Sequence, residues 1–309
     1  MNFEKKAIRI MTYNIGGAQK DFDSHFNKII KLIKNLSPDV LIVQEAIQWQ
    51  DAAGICHSNV QTLADGLDFE YSFFGPTVSM QEHLTVRKSN FVDNIFNDIT
   101  SWDYGNAILS KRAFTQFSDI SKPGSPRNIP LFKPPLYHGS RDTDPRYAIL
   151  GRINCNPLYP YLVGVHFTTL LGERTPSAFA NAELSDSAQF SLKSKSEQGE
   201  IVRYQQAKRL IDLLNKHVLL QGKPVILAGD FNAKADEACL TAVIEQSGFV
   251  RLKPENPNSH THIKVPRPVD HIFVSPQDLL ADYTCQIIDD EIADQASDHR
   301  PVFAEITFK

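Results

Sequence analysis

Acidic, amide and imidazole side chains in this 309-residue chain gather at the ends of apolar runs. Asn14 follows Ile10-Met11-Thr12-Tyr13, and Glu45 follows Leu41-Ile42-Val43-Gln44. His166 lies in Val163-Gly164-Val165-His166-Phe167, and Asp230 and Asn232 come just after Val225-Ile226-Leu227-Ala228. Asp270 precedes His271-Ile272-Phe273-Val274, and Asp298-His299 precedes Pro301-Val302-Phe303. A carboxylate or histidine against an apolar strand is costly to desolvate unless a partner or a metal ion compensates it. Taken singly, each could cap a turn or be a satisfied core histidine. Six strand ends with the same habit point instead to one shared rim. Asp230 and Asn232 stand two residues apart, so an extended backbone projects both side chains to one side.

The elements that must position these residues follow from periodicity. Apolar runs predict strands over 8–13, 40–43, 107–109, 147–153, 161–167, 225–228, 271–274 and 302–306. The run 40–43 is apolar throughout, as a strand buried on both faces requires. Phe26, Ile29, Ile30 and Ile33 recur at helical spacing over 22–36, and Ser37-Pro38-Asp39 ends that helix. A second helix over 200–217 is expected to bury Ile201, Tyr204, Leu210, Ile211 and Leu214. Strands alternating with amphipathic helices predict an α/β architecture. With no internal repeat and no Gly/Ser-rich linker, residues 1–309 read as one domain. Long loops are expected at about 76–103, 118–145 and 172–199; the second holds six prolines together with Arg127 and Arg141. Such segments are either binding loops or inert insertions.

Composition narrows the function classes. Hydrophobic residues make up 42% and charged residues 22%, the profile of a soluble globular protein. Net charge of -4 and a pI near 6.2 give no general basic field for nucleic acid or an anionic membrane. That weighs only mildly against a nuclease, because a local patch beside bound metal can hold phosphate. The four cysteines lack zinc-type spacing and are expected as reduced thiols. Neither a signal peptide nor an apolar run approaching the roughly 20 residues of a membrane span is evident, so a cytoplasmic monomer without a membrane anchor is expected.

In order along the chain stand Thr12-Tyr13-Asn14-Ile15, Gln44-Glu45, Gly105-Asn106-Ala107-Ile108-Leu109-Ser110, Val165-His166-Phe167, Gly229-Asp230-Phe231-Asn232, Val269-Asp270-His271-Ile272 and Ser297-Asp298-His299-Arg300-Pro301-Val302. This ordered set resembles the endonuclease/exonuclease/phosphatase superfamily. The resemblance implies a four-layer α/β sandwich, with two central mixed β-sheets flanked by helices, as in deoxyribonuclease I-like proteins. It implies Glu45 as principal Mg²⁺ ligand, Mn²⁺ being a possible substitute, with Asn14 and Asp298 supporting that site. It sets His299 against the scissile phosphate, oriented by Asp270, and Asp230 with Asn232 around the attacking water, Asp230 as general base or ligand to a second metal. His166 would lie near the phosphate, Arg146 would grip it, and Asn106 would support the same region. The oxygen-rich ligand set suits Mg²⁺ or Mn²⁺ over Zn²⁺.

The implied activity is hydrolysis of a phosphodiester by in-line attack of water, as a nuclease or general phosphodiesterase, with nucleic acid among the candidate phosphoester partners. A sphingomyelinase-like phosphodiesterase and an inositol or sugar phosphatase are the alternatives within that chemistry. A catalytically silent binding module on the same fold is the alternative outside it. Retention of Glu45, Asp230 and His299 argues against silence.

Overall fold

A computed structural model describes residues 7–16, 22–79, 99–133, 144–169 and 186–309. Among these, two mixed sheets form. The first has the order β12-β13-β1-β2-β5-β4, with β3 pairing β2. It comprises β1 (Ala7–Asn14), β2 (Val40–Asp51), β3 (Cys56–Ser58), β4 (Tyr71–Ser79), β5 (Ile99–Ser110), β12 (Leu280–Ile287) and β13 (Val302–Phe308). The second has the order β10-β11-β9-β8-β7-β6. It comprises β6 (Arg127–Phe132), β7 (Arg146–Arg152), β8 (Tyr161–His166), β9 (Val225–Asp230), β10 (Val250–Arg251) and β11 (Asp270–Ser275).

The sheets pack face to face. Ile10, Ile42 and Ile108 of the first meet Leu162, Ile226 and Ile272 of the second in a common buried cluster. Close approach depends on Gly164, where an added Cβ would come within 2.9 Å of the Ile42 side chain. On the outer face of the first sheet lie α1 (Phe22–Leu36), α2 (Asn59–Gly66) and the short α4 (Glu291–Ala296). On the outer face of the second lie α3 (Asp186–His217) and a helical turn at Cys239–Ile244. The expected four-layer sandwich is therefore observed. None of these helices is long and apolar enough to cross a membrane, and all four cysteines are free.

The described parts of the expected loops hold more regular structure than their composition suggested. Strand β4 continues to Ser79 and β5 starts at Ile99, β6 occupies part of 118–145, and α3 begins at Asp186 rather than near 200. The remainder of those loops, at 80–98, 134–143 and 172–185, lies outside the described residues. The buried stripe of α3 also needs correction: Ile201 is 58% exposed and Tyr204 41%, while Arg203, Gln206 and Ala207 are buried beside Leu210, Ile211 and Leu214.

Chain direction explains why the polar residues share a rim. Strand β1 runs parallel to β2, and β8 runs parallel to β9. Strands β13 and β11 run antiparallel to β1 and β9. The last residues of β1, β8 and β9 and the first residue of β11 thus reach one edge of the sandwich. These are Asn14, His166, Asp230 and Asp270.

Candidate active site

Asp230 is the meeting point. It pairs in register with His166 on one side and Asp270 on the other. Its Oδ1 accepts from the Asn232 backbone N–H at 2.8 Å. Its Oδ2 accepts from Asn14 Nδ2 at 3.1 Å and faces His166 Nε2 at 3.5 Å and His299 Nε2 at 3.7 Å. Asn14 also donates to Glu45 Oε1 at 3.2 Å, so one amide from the first sheet ties together two carboxylates, one from each sheet. Fixing Asn14 in turn, its Oδ1 accepts from Gly16 N at 3.1 Å and its carbonyl from Ser297 Oγ at 2.9 Å.

Local backbone exceptions aim these side chains. Glu45 has φ of +60° within a break of the β2–β5 register between Val43 and Ala46. The bulge departs from simple alternation and re-aims the carboxylate toward the rim. Asn232 has φ of +48°, a conformation asparagine tolerates well, and its Nδ2 donates to the Phe167 carbonyl at 3.1 Å. Just before Asp230, a Cβ on Gly229 would lie 2.0 Å from the Val165 carbonyl oxygen, so only glycine fits there.

His299 and Asp270 form a buried pair, Nδ1 to Oδ2 at 3.0 Å. Burial opposes a charge on His299, but the Asp270 and Asp230 carboxylates outweigh it and raise the imidazole to about 10. Asp230 moves up as well, to about 6, through burial and the neighbouring Asp270 charge, with His299 and the Asn14 hydrogen bond opposing. At neutral pH the arrangement is an imidazolium beside a moderately basic carboxylate. Among the described residues, buried Asp270 Oδ1 and His299 Nε2 make no hydrogen bond, which leaves both able to meet a ligand.

Two neighbours had no apolar run to mark them in the sequence. Thr261 Oγ1 accepts from Val269 N at 2.8 Å and Asp270 N at 3.1 Å, fixing the start of β11. His262 is buried, forms a bridge to the His299 backbone and sets its ring 4.6 Å from the His299 ring. Its Nδ1 accepts from Lys264 N, and its Nε2 lies 3.8 Å from Asp298 Oδ2, which connects Asp298 to the cluster.

The structure therefore brings Asn14, Glu45, His166, Asp230, Asn232, Asp270 and His299 into one contiguous set, with Asp298 joined through His262. Arg146 and Asn106 stand on the same rim but belong to its surroundings. Arg146 donates to Thr169 Oγ1 at 3.4 Å and lies 3.9 Å from Asp144. Asn106 is buried beside the β2 bulge, opposite Gly75, and its Nδ2 makes no hydrogen bond among the described residues. From outside, α3 braces the segment after His166: Gln206 accepts from Thr168 N at 3.0 Å and donates to Thr168 Oγ1 at 2.7 Å. Arg203 beside it pairs with Glu237, with N–O distances of 2.6 and 3.0 Å.

The chemistry of the donor set fits a hard divalent cation. Asp230, Asp270 and His299 offer ligand atoms within 4.8 Å of one another. Asp270 Oδ2 is engaged by His299 Nδ1, whereas Glu45, tied to Asp230 through Asn14, presents a carboxylate of the kind a hard divalent cation takes.

The sequence matches the family described as Endonuclease/Exonuclease/phosphatase over residues 11–299. The chain belongs to that family. A comparison with curated proteins finds no match. Among solved structures, it is similar to an endonuclease/exonuclease/phosphatase protein from Beutenbergia cavernae DSM 12333, at TM-score 0.64 and 16% identity, over 98% of this chain and 72% of that one. It is also similar to the human Nocturnin catalytic domain solved with a sulfate anion, at TM-score 0.62 and 18% identity, over 98% and 95% of the two chains. TDP2 from C. elegans aligns at TM-score 0.56 and 14% identity, over 99% and 78%. At these identities the structural likeness is one of fold.

Proposed function

We propose that the protein hydrolyses a phosphodiester by attack of water on phosphorus at the Asp230–His299 cluster, as a nuclease or general phosphodiesterase. The observation that carries this reading is the convergence on Asp230 Oδ2 of Asn14, His166 and the Asp270-held His299 at 3.1, 3.5 and 3.7 Å. Family membership supports it, and the sulfate in the Nocturnin structure supports an oxyanion as the ligand class.

Glu45, with Asn14 and Asp298, would hold a divalent cation, Mg²⁺ or Mn²⁺. Such a cation, when bound, neutralises charge on the phosphoryl oxygens and increases the acidity of water. Asp230 is basic enough, near 6, to take a proton from water while remaining ionised at neutral pH. The Asn232 N–H holds Asp230 Oδ1 and leaves Oδ2 toward the cleft. His299, kept charged by Asp270, directs Nε2–H at a phosphoryl oxygen, where fixed positive charge favours the transition state. His166 stands on the opposite side of Asp230 and can donate to a second oxygen.

The test is release of p-nitrophenol from bis(p-nitrophenyl) phosphate, and of nucleotides from single-stranded DNA and RNA, in Mg²⁺, Mn²⁺ or EDTA. Turnover in the divalent ions and none in EDTA is expected. Full activity in EDTA would overturn the role given to the cation, and no phosphoester cleaved under any condition would overturn the reading in favour of a binding module.

A further inference from the structure

We propose that a groove on the outer face of the second sheet, away from the Asp230 rim, binds an anionic amphiphile, its alkyl tail under α3 and its head at Arg127. Register places the floor of this groove. Arg127 pairs with Leu150, Ile129 with Ala148, and Leu150 with Val163, so these side chains of β6, β7 and β8 share one face. It is the face that α3 covers, because Ala148, Leu150 and Val163 pack in the same cluster as Leu210 and Leu214. On β7, Leu150 stands four residues beyond Arg146, roughly 13 Å from the rim at about 3.3 Å per residue. Cover is incomplete there: a space of about 830 Å³, within the range of small-molecule sites, lies between this floor, the last turns of α3 and the loop at 116–125. Phe117, Ile129 and Leu213 are only partly buried around it.

Its charge is one-sided. The described lining holds Arg127 and His217 and no aspartate or glutamate. His217 lies in the last turn of α3, where a cation complements the helix dipole. Arg127 has no such complement: its guanidinium rests 5.3 Å from the Phe117 ring centre, and no carboxylate pairs with it among the described residues. Phe117 stacks on Tyr161 at 5.9 Å with planes within 3°, and the Arg152 guanidinium lies 4.7 Å from the Tyr161 ring. Arg152 is buried, and it donates to the Tyr159 and Phe117 carbonyls at 3.1 and 2.9 Å rather than to a carboxylate. Two guanidiniums on one aromatic pair thus leave uncompensated positive charge beside an apolar trough, a setting that attracts an anion and repels a cation. A ligand with an anionic head and an aliphatic tail meets both features, whereas free phosphate meets only one.

Dodecanoate, kept below its micellar concentration, is the probe, and isothermal titration calorimetry on the full chain reads its binding. Affinity should rise about fourfold for each methylene added between octanoate and dodecanoate, as the tail is buried. Arg127→Gln should weaken dodecanoate binding about 10- to 100-fold, the loss of a charged hydrogen bond, and Arg127→Lys should recover part of it, with the circular-dichroism melt retained in both. Leu213→Glu, which sets an acid at a partly buried position of the lining, should weaken binding as well. Dodecyltrimethylammonium should not bind. His299→Gln should take up dodecanoate as the wild type does, which separates the groove from the hydrolytic site. No binding of dodecanoate, equal affinity for the cationic amphiphile, indifference to chain length, unchanged affinity in Arg127→Gln, or loss of binding in His299→Gln would each overturn the proposal. So would flotation of the protein with phosphatidylserine vesicles without any response to dodecanoate, since a bilayer would then be the partner.

Discussion

Asp230 gathers an amide and two imidazoles around one carboxylate oxygen, and this crowding couples the neighbours, so each is tested by its own readout. His299→Gln keeps a hydrogen-bond donor for Asp270 but removes the cation. Turnover should fall by about 10²- to 10⁴-fold with the thermal transition retained, measured by steady-state kinetics beside circular dichroism. Glu45→Gln alters the proposed metal ligand without touching the Asp270–His299 pair. Its half-saturating Mg²⁺ concentration should rise at least tenfold, and excess Mn²⁺ should restore part of the rate; unaltered metal dependence would remove Glu45 from that role. At this scale the sequence was informative wherever a polar residue ended an apolar run, as at Asn14, Asp230 and Asp270. Thr261 and His262 escaped because Ser259-His260-Thr261-His262 sits in a segment whose only regularity is tertiary. The +60° φ that re-aims Glu45 has no sequence signal, since it arises from the mismatch of β2 against β5.

Elements were legible according to their place in a sheet. Each interior strand, β1, β2, β5, β7, β8, β9, β11 and β13, contains an apolar run predicted as strand, because burial on both faces leaves little room for polar residues. The unpredicted strands β4, β6, β10 and β12 are all edges, and β3 pairs only with β2. Edges tolerate what an interior strand cannot, such as Pro76 in β4, Pro130 in β6 and the exposed residues of β12. Helix α3 misled for a different reason. Its inner face carries Arg203 and Gln206 because the segment it covers, Phe167 to Thr169, presents backbone polar groups that need bonds. Between the sheets, Gly164→Val should collide with Ile42 and lower the unfolding free energy by about 1–3 kcal/mol in urea titrations, the usual effect of overpacking.

For the whole molecule, the titration of buried groups sets the response to acid. His271 is buried, and desolvation, aided by the Arg251 charge, depresses its pKa to about 3 although its bond to the Ala233 carbonyl opposes this. In the unfolded chain it titrates near 6.5. Between those values the unfolded state binds a proton that the folded state refuses, so stability rises with pH across that window. The His271 contribution is therefore complete above about pH 6.5 and is lost as pH falls toward 3. Denaturant titrations of His271→Asn should show a shallower acid decline than wild type by on the order of a few kcal/mol. Matching slopes from pH 6.5 to 4 would show that His271 is protonated inside the fold.

The Asn14 amide, reaching from one sheet to Asp230 on the other and to Glu45 beside it, acts as a rivet through the sandwich. Any slip of one layer over the other would pull the rivet out and scatter the residues gathered at Asp230 before the apolar filling between the layers had been exposed. Loss of turnover on gentle heating should for that reason precede the global melt, and a tightly held anion at Asp230 should bring the two events back together.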